Sequence, residues 1–163
     1  MAEFRPEDIL RVLEEHEVRY VLIGGLAASL HGSPQVTFDV DITPERGRQN
    51  LERLSDALTE LNARVNTADE PEGVPFGHDA GSLGSVEVWN LVTDFGNLDI
   101  SFTPSGTGGF EDLNREAVRL NVLGVDAYVA SLEDVIRSKE AAGRPQDQIA
   151  LPVLRRILER GEP

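Results

Sequence analysis

Cysteine is absent from this chain of 163 residues, so neither a disulfide bond nor a thiolate metal site is possible. Long apolar runs are also missing. No stretch approaches the roughly 20 residues that a bilayer-spanning helix needs, and no apolar segment stands near the first residues. We therefore expect no membrane contact and a soluble protein of the cytoplasm. The hydrophobic fraction of 40% is enough for an ordinary core.

Positive charge is scarce as well. The sequence has 15 basic residues against 29 acidic ones, a formal net charge of −14. Broad, non-specific nucleic-acid binding requires many Lys and Arg contacts to phosphates, so this balance disfavours it, although a local basic patch remains compatible. Of the 15 basic residues, 14 are Arg, and Lys139 is the one Lys.

Helix and strand patterns alternate early in the chain, and strands then follow one another in pairs. Period-2 and short apolar runs predict strands at 20–23, 36–42, 86–92, 98–102, 120–123 and 126–129. Caps and apolar stripes predict helices from Pro6, at 26–30, after a cap at 43–45, at 110–117, at 131–142 and from 144 onward, with a bend or restart at Pro152. Segments 66–84 and 103–109 are predicted loops, the first a candidate lid.

These elements predict an α+β fold, with a small mixed β-sheet, helices packed on it and a helical C-terminal tail. The length favours one domain over 1–163, with a core of about 1–130 and C-terminal helices at 131–160.

An Asp-Val-Asp segment is the most informative feature of the sequence. Thirteen residues separate Gly25 from Asp39, and Asp41 follows two positions later, so both carboxylates point to the same strand face. Asp99, on a later strand, can converge on them. Three carboxylates repel one another unless a cation is present, and a hard divalent ion such as Mg²⁺ suits an all-oxygen site. The alternative is a solvated face of an edge strand.

The glycine pair and a C-terminal cluster offer partners for phosphate. Gly24 and Gly25 form a strand-to-helix turn, whose backbone N–H groups would face the carboxylates and could hold a phosphate. Lys139 stands on the helix predicted at 131–142, and Arg144 and Asp147 follow it. A flexible point charge suits a phosphate oxygen, but a solvated helix charge is the alternative for Lys139.

The segment Ile23-Gly24-Gly25, then thirteen residues, then Asp39-Val40-Asp41-Ile42 and later Asp99 resembles the signature of the polymerase-beta-type nucleotidyltransferase superfamily. The tail from Ser131 to Lys139 and on through Gly143 to Asp147 is similar to a small bacterial branch that includes abortive-infection-type toxin nucleotidyltransferases. The resemblance implies the fold of that family. It also implies metal ligation by Asp39, Asp41 and Asp99, and active-site roles for Lys139 and Asp147.

The resemblance further implies transfer of a nucleoside monophosphate from an NTP to an acceptor hydroxyl, with two Mg²⁺ ions and release of pyrophosphate. The acceptor stays open between a tRNA 3′ end, a protein side chain and a small molecule such as an antibiotic, and a toxin would have an antitoxin partner. A non-catalytic binding partner with this fold is the alternative from another class. In relatives, the Pro that precedes the aspartates is often followed by Arg. In this chain that Pro is Pro34, and Gln35 follows it, which removes a positive charge near the phosphate site.

Overall fold

The computed structural model describes residues 3–161 and contains seven strands and seven helices in that range. The strands are β1 Tyr20–Ile23, β2 Asp39–Pro44, β3 Arg64–Val65, β4 Val88–Thr93, β5 Gly96–Ser101, β6 Val118–Val122 and β7 Val125–Val129. The helices are α1 Pro6–Glu15, α2 Gly24–Leu30, α3 Arg48–Glu60, α4 Ala80–Leu83, α5 Phe110–Glu116, α6 Leu132–Ala142 and α7 Pro145–Glu159. None of the helices in this range is long and apolar enough to cross a membrane.

One seven-stranded mixed sheet organises the chain, in the order β3-β4-β5-β2-β1-β7-β6. The pairs β2–β5 and β1–β7 are parallel, and the other four pairs are antiparallel. The two parallel pairs join local hairpins to the central β1–β2 pair. The predicted α+β class, with a small mixed sheet and a helical C-terminal tail, is confirmed.

The core forms where the apolar sides of helices meet the sheet. In β2, Val40 and Ile42 are fully buried, whereas the alternating aspartates are only partly covered. In α3, Leu54 and Leu58 are likewise fully buried. Burial of such side chains is the main favourable contribution to folding.

The prediction for the second strand was wrong at both ends. Val36 and Phe38 are 79% and 70% exposed and precede β2, since neither β1 nor β5 pairs with residues before Asp39. At the other end, Pro44 still pairs with Tyr20, so the strand continues through the predicted cap. The following helix begins only at Arg48.

Two further expectations need correction. The predicted loop 66–84 is shorter, because α4 occupies its end and is capped by Asp79, which accepts a bond from the Ser82 N–H at 3.2 Å. Strand β3, which precedes this loop, was not predicted. α7 continues through Pro152 instead of restarting there. The loop at 103–109 lies between β5 and α5 as expected.

Candidate active site

The three predicted carboxylates lie on one face of the sheet, where β2 runs beside β5. The parallel register places Asp41 opposite Asp99, and Asp39 opposite Asn97. Residues directly opposite one another on paired strands project from the same face. The pairing of β2 with β5 therefore brings together carboxylates that stand far apart in the sequence.

Burial and mutual repulsion raise the pKa of two of these carboxyls. The pKa of Asp41 rises to about 6, first because burial disfavours its charged form and then because Asp39 is near. Three smaller effects lower the pKa of Asp41 and partly offset this rise: the charge of Arg144, hydrogen bonding with Asp99, and the charge of Lys139. The pKa of Asp99 rises to about 7 through burial, then through Asp41 and Asp39. A cation among the three acids would stabilise their charged forms and lower these pKa values.

The donor chemistry of the site suits a hard divalent cation such as Mg²⁺, which prefers carboxylate oxygens. Within residues 3–161, no three acidic or histidine side chains are gathered closely enough to share one metal ion. Asp41 and Asp99 instead stand opposite each other across the β2–β5 pair, and, after burial, the charge of Asp41 raises the pKa of Asp99. Ion binding would therefore bring the carboxylate side chains closer together.

Gly24 allows the start of α2 to approach the carboxylates. Its φ of +72° lies in the left-handed region, and a Cβ built there would overlap the carboxyl group of Asp41, 2.7 Å from its Cγ. A Cβ on Gly25 would meet Thr37 Oγ1 at 3.0 Å. The contact between the turn and Asp41 therefore requires a residue without a side chain at Gly24.

Two basic side chains come to the site from the C-terminal helices. Lys139 Nζ lies 3.5 Å from Asp147 Oδ1, and Arg144 donates to both oxygens of Asp147 at 2.8 and 3.1 Å. Burial would raise the pKa of Asp147, but the hydrogen bonds from Arg144, and then the charges of Arg144 and Lys139, hold that pKa below its usual range. The fully buried Asp147 thus positions both cations, and both act electrostatically on Asp41.

A cavity of about 950 Å³ connects these groups. Asp147 does not line it, but Gln35 does. His31 stands at the end of α2, and its Nε2 lies 2.7 Å from the Ala130 carbonyl oxygen. The predicted site residues that line the cavity are Gly24, Gly25, Asp39, Asp41, Asp99, Lys139 and Arg144.

Three asparagines that the sequence pattern did not indicate continue the carboxylate face. Asn97 stands opposite Asp39, Asn90 stands opposite Asp99, and the Asn66 N–H donates to the Asn90 carbonyl at 2.9 Å. Of the three, only Asn97 could have been found from the sequence, because it is two positions from Asp99 and shares its strand face. The other two positions depend on the pairing of β3, β4 and β5.

Comparisons with known proteins identify the fold. No family model and no curated protein matches the chain. A proposed nucleotidyltransferase from Thermotoga maritima has a TM-score of 0.55 and 21% identity, with coverage of 98% of this chain and 97% of that chain. The lincomycin-bound lincosamide antibiotic adenylyltransferase LnuA has a TM-score of 0.63 and 18% identity, with coverage of 96% of this chain and 99% of that chain.

A third solved structure is the antibiotic-resistance factor ANT(2'')-Ia, with a TM-score of 0.53 and 17% identity, over 86% of this chain and 71% of that chain. At these identities the similarity is one of fold. The protein has the nucleotidyltransferase fold, and its carboxylate face lies beside the glycine turn that follows β1.

Proposed function

We propose that this protein is a Mg²⁺-dependent nucleotidyltransferase, which transfers a nucleoside monophosphate from an NTP to an acceptor hydroxyl. One observation carries the proposal. Asp39, Asp41 and Asp99 share one sheet face in a cavity that Lys139 and Arg144 also line. Carboxylates for a metal and cations for phosphates are the two charge types that phosphoryl transfer requires.

Each group would have a separate role. Asp39, Asp41 and Asp99 would hold two Mg²⁺ ions, which neutralise the phosphate charge when bound. The turn at Gly24 and Gly25 would hold the β- and γ-phosphates. Two basic side chains, Lys139 and Arg144, would contact phosphate oxygens, while the buried Asp147 keeps them in place.

In the transfer step, the acceptor hydroxyl oxygen attacks the α-phosphorus, and its proton passes to the Asp99 carboxylate. The bond between the α-phosphorus and the bridging oxygen breaks, and pyrophosphate leaves. Asp99 can serve as this base because it shares the sheet face of the other two carboxylates and lines the cavity.

The acceptor is best supported as a small molecule. The net charge of −14 disfavours a polyanionic acceptor such as tRNA. Two structural neighbours are an antibiotic adenylyltransferase and an antibiotic-resistance factor. A toxin role with an antitoxin partner is supported by the resemblance of the tail alone, and transfer of label to tRNA or protein would favour it.

Label transfer tests the proposal directly. The purified protein is incubated with Mg²⁺ and each α-labelled NTP, in parallel with total tRNA, cell protein and a panel of antibiotics. Asp39→Ala/Asp41→Ala serves as the inactive variant. Asp56→Asn is the matched control, because Asp56 is an exposed acid on α3, outside the cavity. We expect transfer by the wild type and by Asp56→Asn only.

Binding measurements separate catalysis from mere binding. An NTP should raise the melting temperature only with Mg²⁺ present, and this rise should disappear in Asp41→Ala. NTP binding without transfer to any acceptor would favour the non-catalytic binding partner. A wild type that responds to neither Mg²⁺ nor any NTP would contradict the proposal.

A further inference from the structure

Beside the carboxylates, the same face of the sheet carries a row of amides. The register places Asp41 opposite Asp99, and Asp99 opposite Asn90. The backbone hydrogen bond from Asn66 to Asn90 extends this row to the edge of the sheet. Asn97 stands opposite Asp39 in the neighbouring row. We call Asn66, Asn90 and Asn97 the amide shelf.

The amide shelf borders a cleft of about 480 Å³. Asp39 and Asp99 form the boundary that this cleft shares with the larger cavity, whereas Lys139 and Arg144 line the larger cavity only. In the sheet, β1 and β5 flank β2 on opposite sides. The glycine turn after β1 and the amide shelf therefore lie on opposite sides of the carboxylates.

The side-chain amides of the shelf are available to a ligand. Within residues 3–161, no hydrogen bond engages the side chains of Asn66, Asn90 or Asn97. Two asparagines elsewhere are used structurally. The Asn50 side chain donates to the Glu45 carbonyl oxygen at 2.8 Å, and the Asn62 side chain donates to Asp94 at 3.1 Å.

The charge of the cleft limits what it can bind. Among the described residues, those that line it include two carboxylates and no basic side chain. The nearby Arg64 donates its guanidinium to Asp94 and to the carbonyls of Asn62 and Glu72, and it does not line the cleft. A phosphate would be repelled, whereas a protonated amine would be attracted. Each amide supplies both a donor and an acceptor, which matches neighbouring hydroxyl groups.

We propose that the amide shelf is the acceptor site, and that it binds a neutral or amine-bearing polyhydroxylated small molecule. The inference rests on the proposed function and adds to it the residues and the chemistry of acceptor recognition. An acceptor on the shelf reaches Asp99 from the side opposite the glycine turn. In-line displacement requires such an approach, since the attacking oxygen and the departing pyrophosphate stand on opposite sides of the phosphorus.

Three sugars that differ in charge test the shelf. Glucosamine, glucose and glucose 6-phosphate share one ring and carry a positive, a neutral and a negative charge. Each is titrated into the isotope-labelled full chain, and the side-chain amide NMR signals of the asparagines are followed. We expect shifts at Asn90 and Asn97, with affinity falling from glucosamine to glucose and no binding of glucose 6-phosphate.

A matched pair of variants tests the residues. Asn90→Ala should weaken glucosamine binding by about tenfold, the effect of roughly one lost hydrogen bond. Asn114→Ala should leave it unchanged, because Asn114 is an exposed asparagine on α5, away from the cleft. The spectrum of each variant also reports whether it is folded.

The outcomes separate the two proposals. Tight binding of glucose 6-phosphate, no sugar binding at any attainable concentration, or shifts confined to other residues would overturn the amide shelf as acceptor site. Mg²⁺ and each NTP are titrated into the same samples, with signals at Gly24 and Gly25 as the readout. Nucleotide binding without sugar binding would refute the shelf alone. Sugar binding without nucleotide binding would refute the proposed function, and with it the acceptor role.

Discussion

Replacing Asp99 with Asn should stabilise the metal-free protein at alkaline pH. The pKa of the Asp99 carboxyl is raised from 3.8 to about 7 in the folded protein, mainly by burial and then by Asp41 and Asp39. The folded state therefore binds more protons than the unfolded state between these values. The free energy of unfolding falls as the pH rises through this range, and the penalty is complete above it. An uncharged amide removes the penalty.

The magnitude follows from the pKa. A pKa that is higher by about three corresponds to about 4 kcal/mol, at about 1.4 kcal/mol for each unit. Asp99 is only partly buried, and it shares the repulsion with Asp41, so solvent screening reduces the effect. We expect Asp99→Asn to gain about 1–2 kcal/mol at pH 8.5, which is a rise of roughly 2–8 °C in melting temperature for a chain of this size.

Urea unfolding in EDTA, at a series of pH values from 4 to 8.5, measures this gain. The difference between Asp99→Asn and the wild type should be smallest near pH 4 and grow toward pH 7. Asp56→Asn should show no such trend. Adding Mg²⁺ should stabilise the wild type more than the variant, if the ion binds the carboxylates. A variant no more stable than the wild type at pH 8.5, or a gain independent of pH, would refute the reasoning.

Two other substitutions test the neighbouring groups. Gly24→Ala should lower the free energy of unfolding by about 1–3 kcal/mol and reduce activity, because the added Cβ would overlap the Asp41 carboxyl group and φ is +72°. Thermal unfolding and label transfer measure the two effects. Gly77→Ala is the control, because a Cβ at Gly77 meets nothing within 4 Å. Lys139→Met should weaken Mg²⁺–NTP binding by about tenfold, as expected for the loss of one charged contact, and isothermal titration would measure it. Unchanged NTP affinity would show that Lys139 only neutralises Asp147.

Local pattern was sufficient to predict much of the fold. Alternation in 39–42 correctly separated an apolar back from a carboxylate front. The same alternation failed at Val36 and Phe38, which are exposed. A strand needs a partner as well as a pattern, and neither β1 nor β5 pairs with these two residues. The site predictions for metal, nucleotide and acceptor remain to be tested by experiment.

The sequence by itself determined that no thiol chemistry is possible, that the chain is strongly acidic, and that Asp39 and Asp41 share a strand face. Only the tertiary structure decided that Asp99 lies opposite Asp41, that Asn90 lies opposite Asp99, and that buried Asp147 holds Lys139 and Arg144 beside the cavity. The physical reason is that strand order and register depend on contacts between distant segments. The alternation of Asp99 with the fully buried Leu98 and Ile100 sets which face of the sheet Asp99 takes, but which residue of β2 lies opposite it depends on the pairing of distant segments.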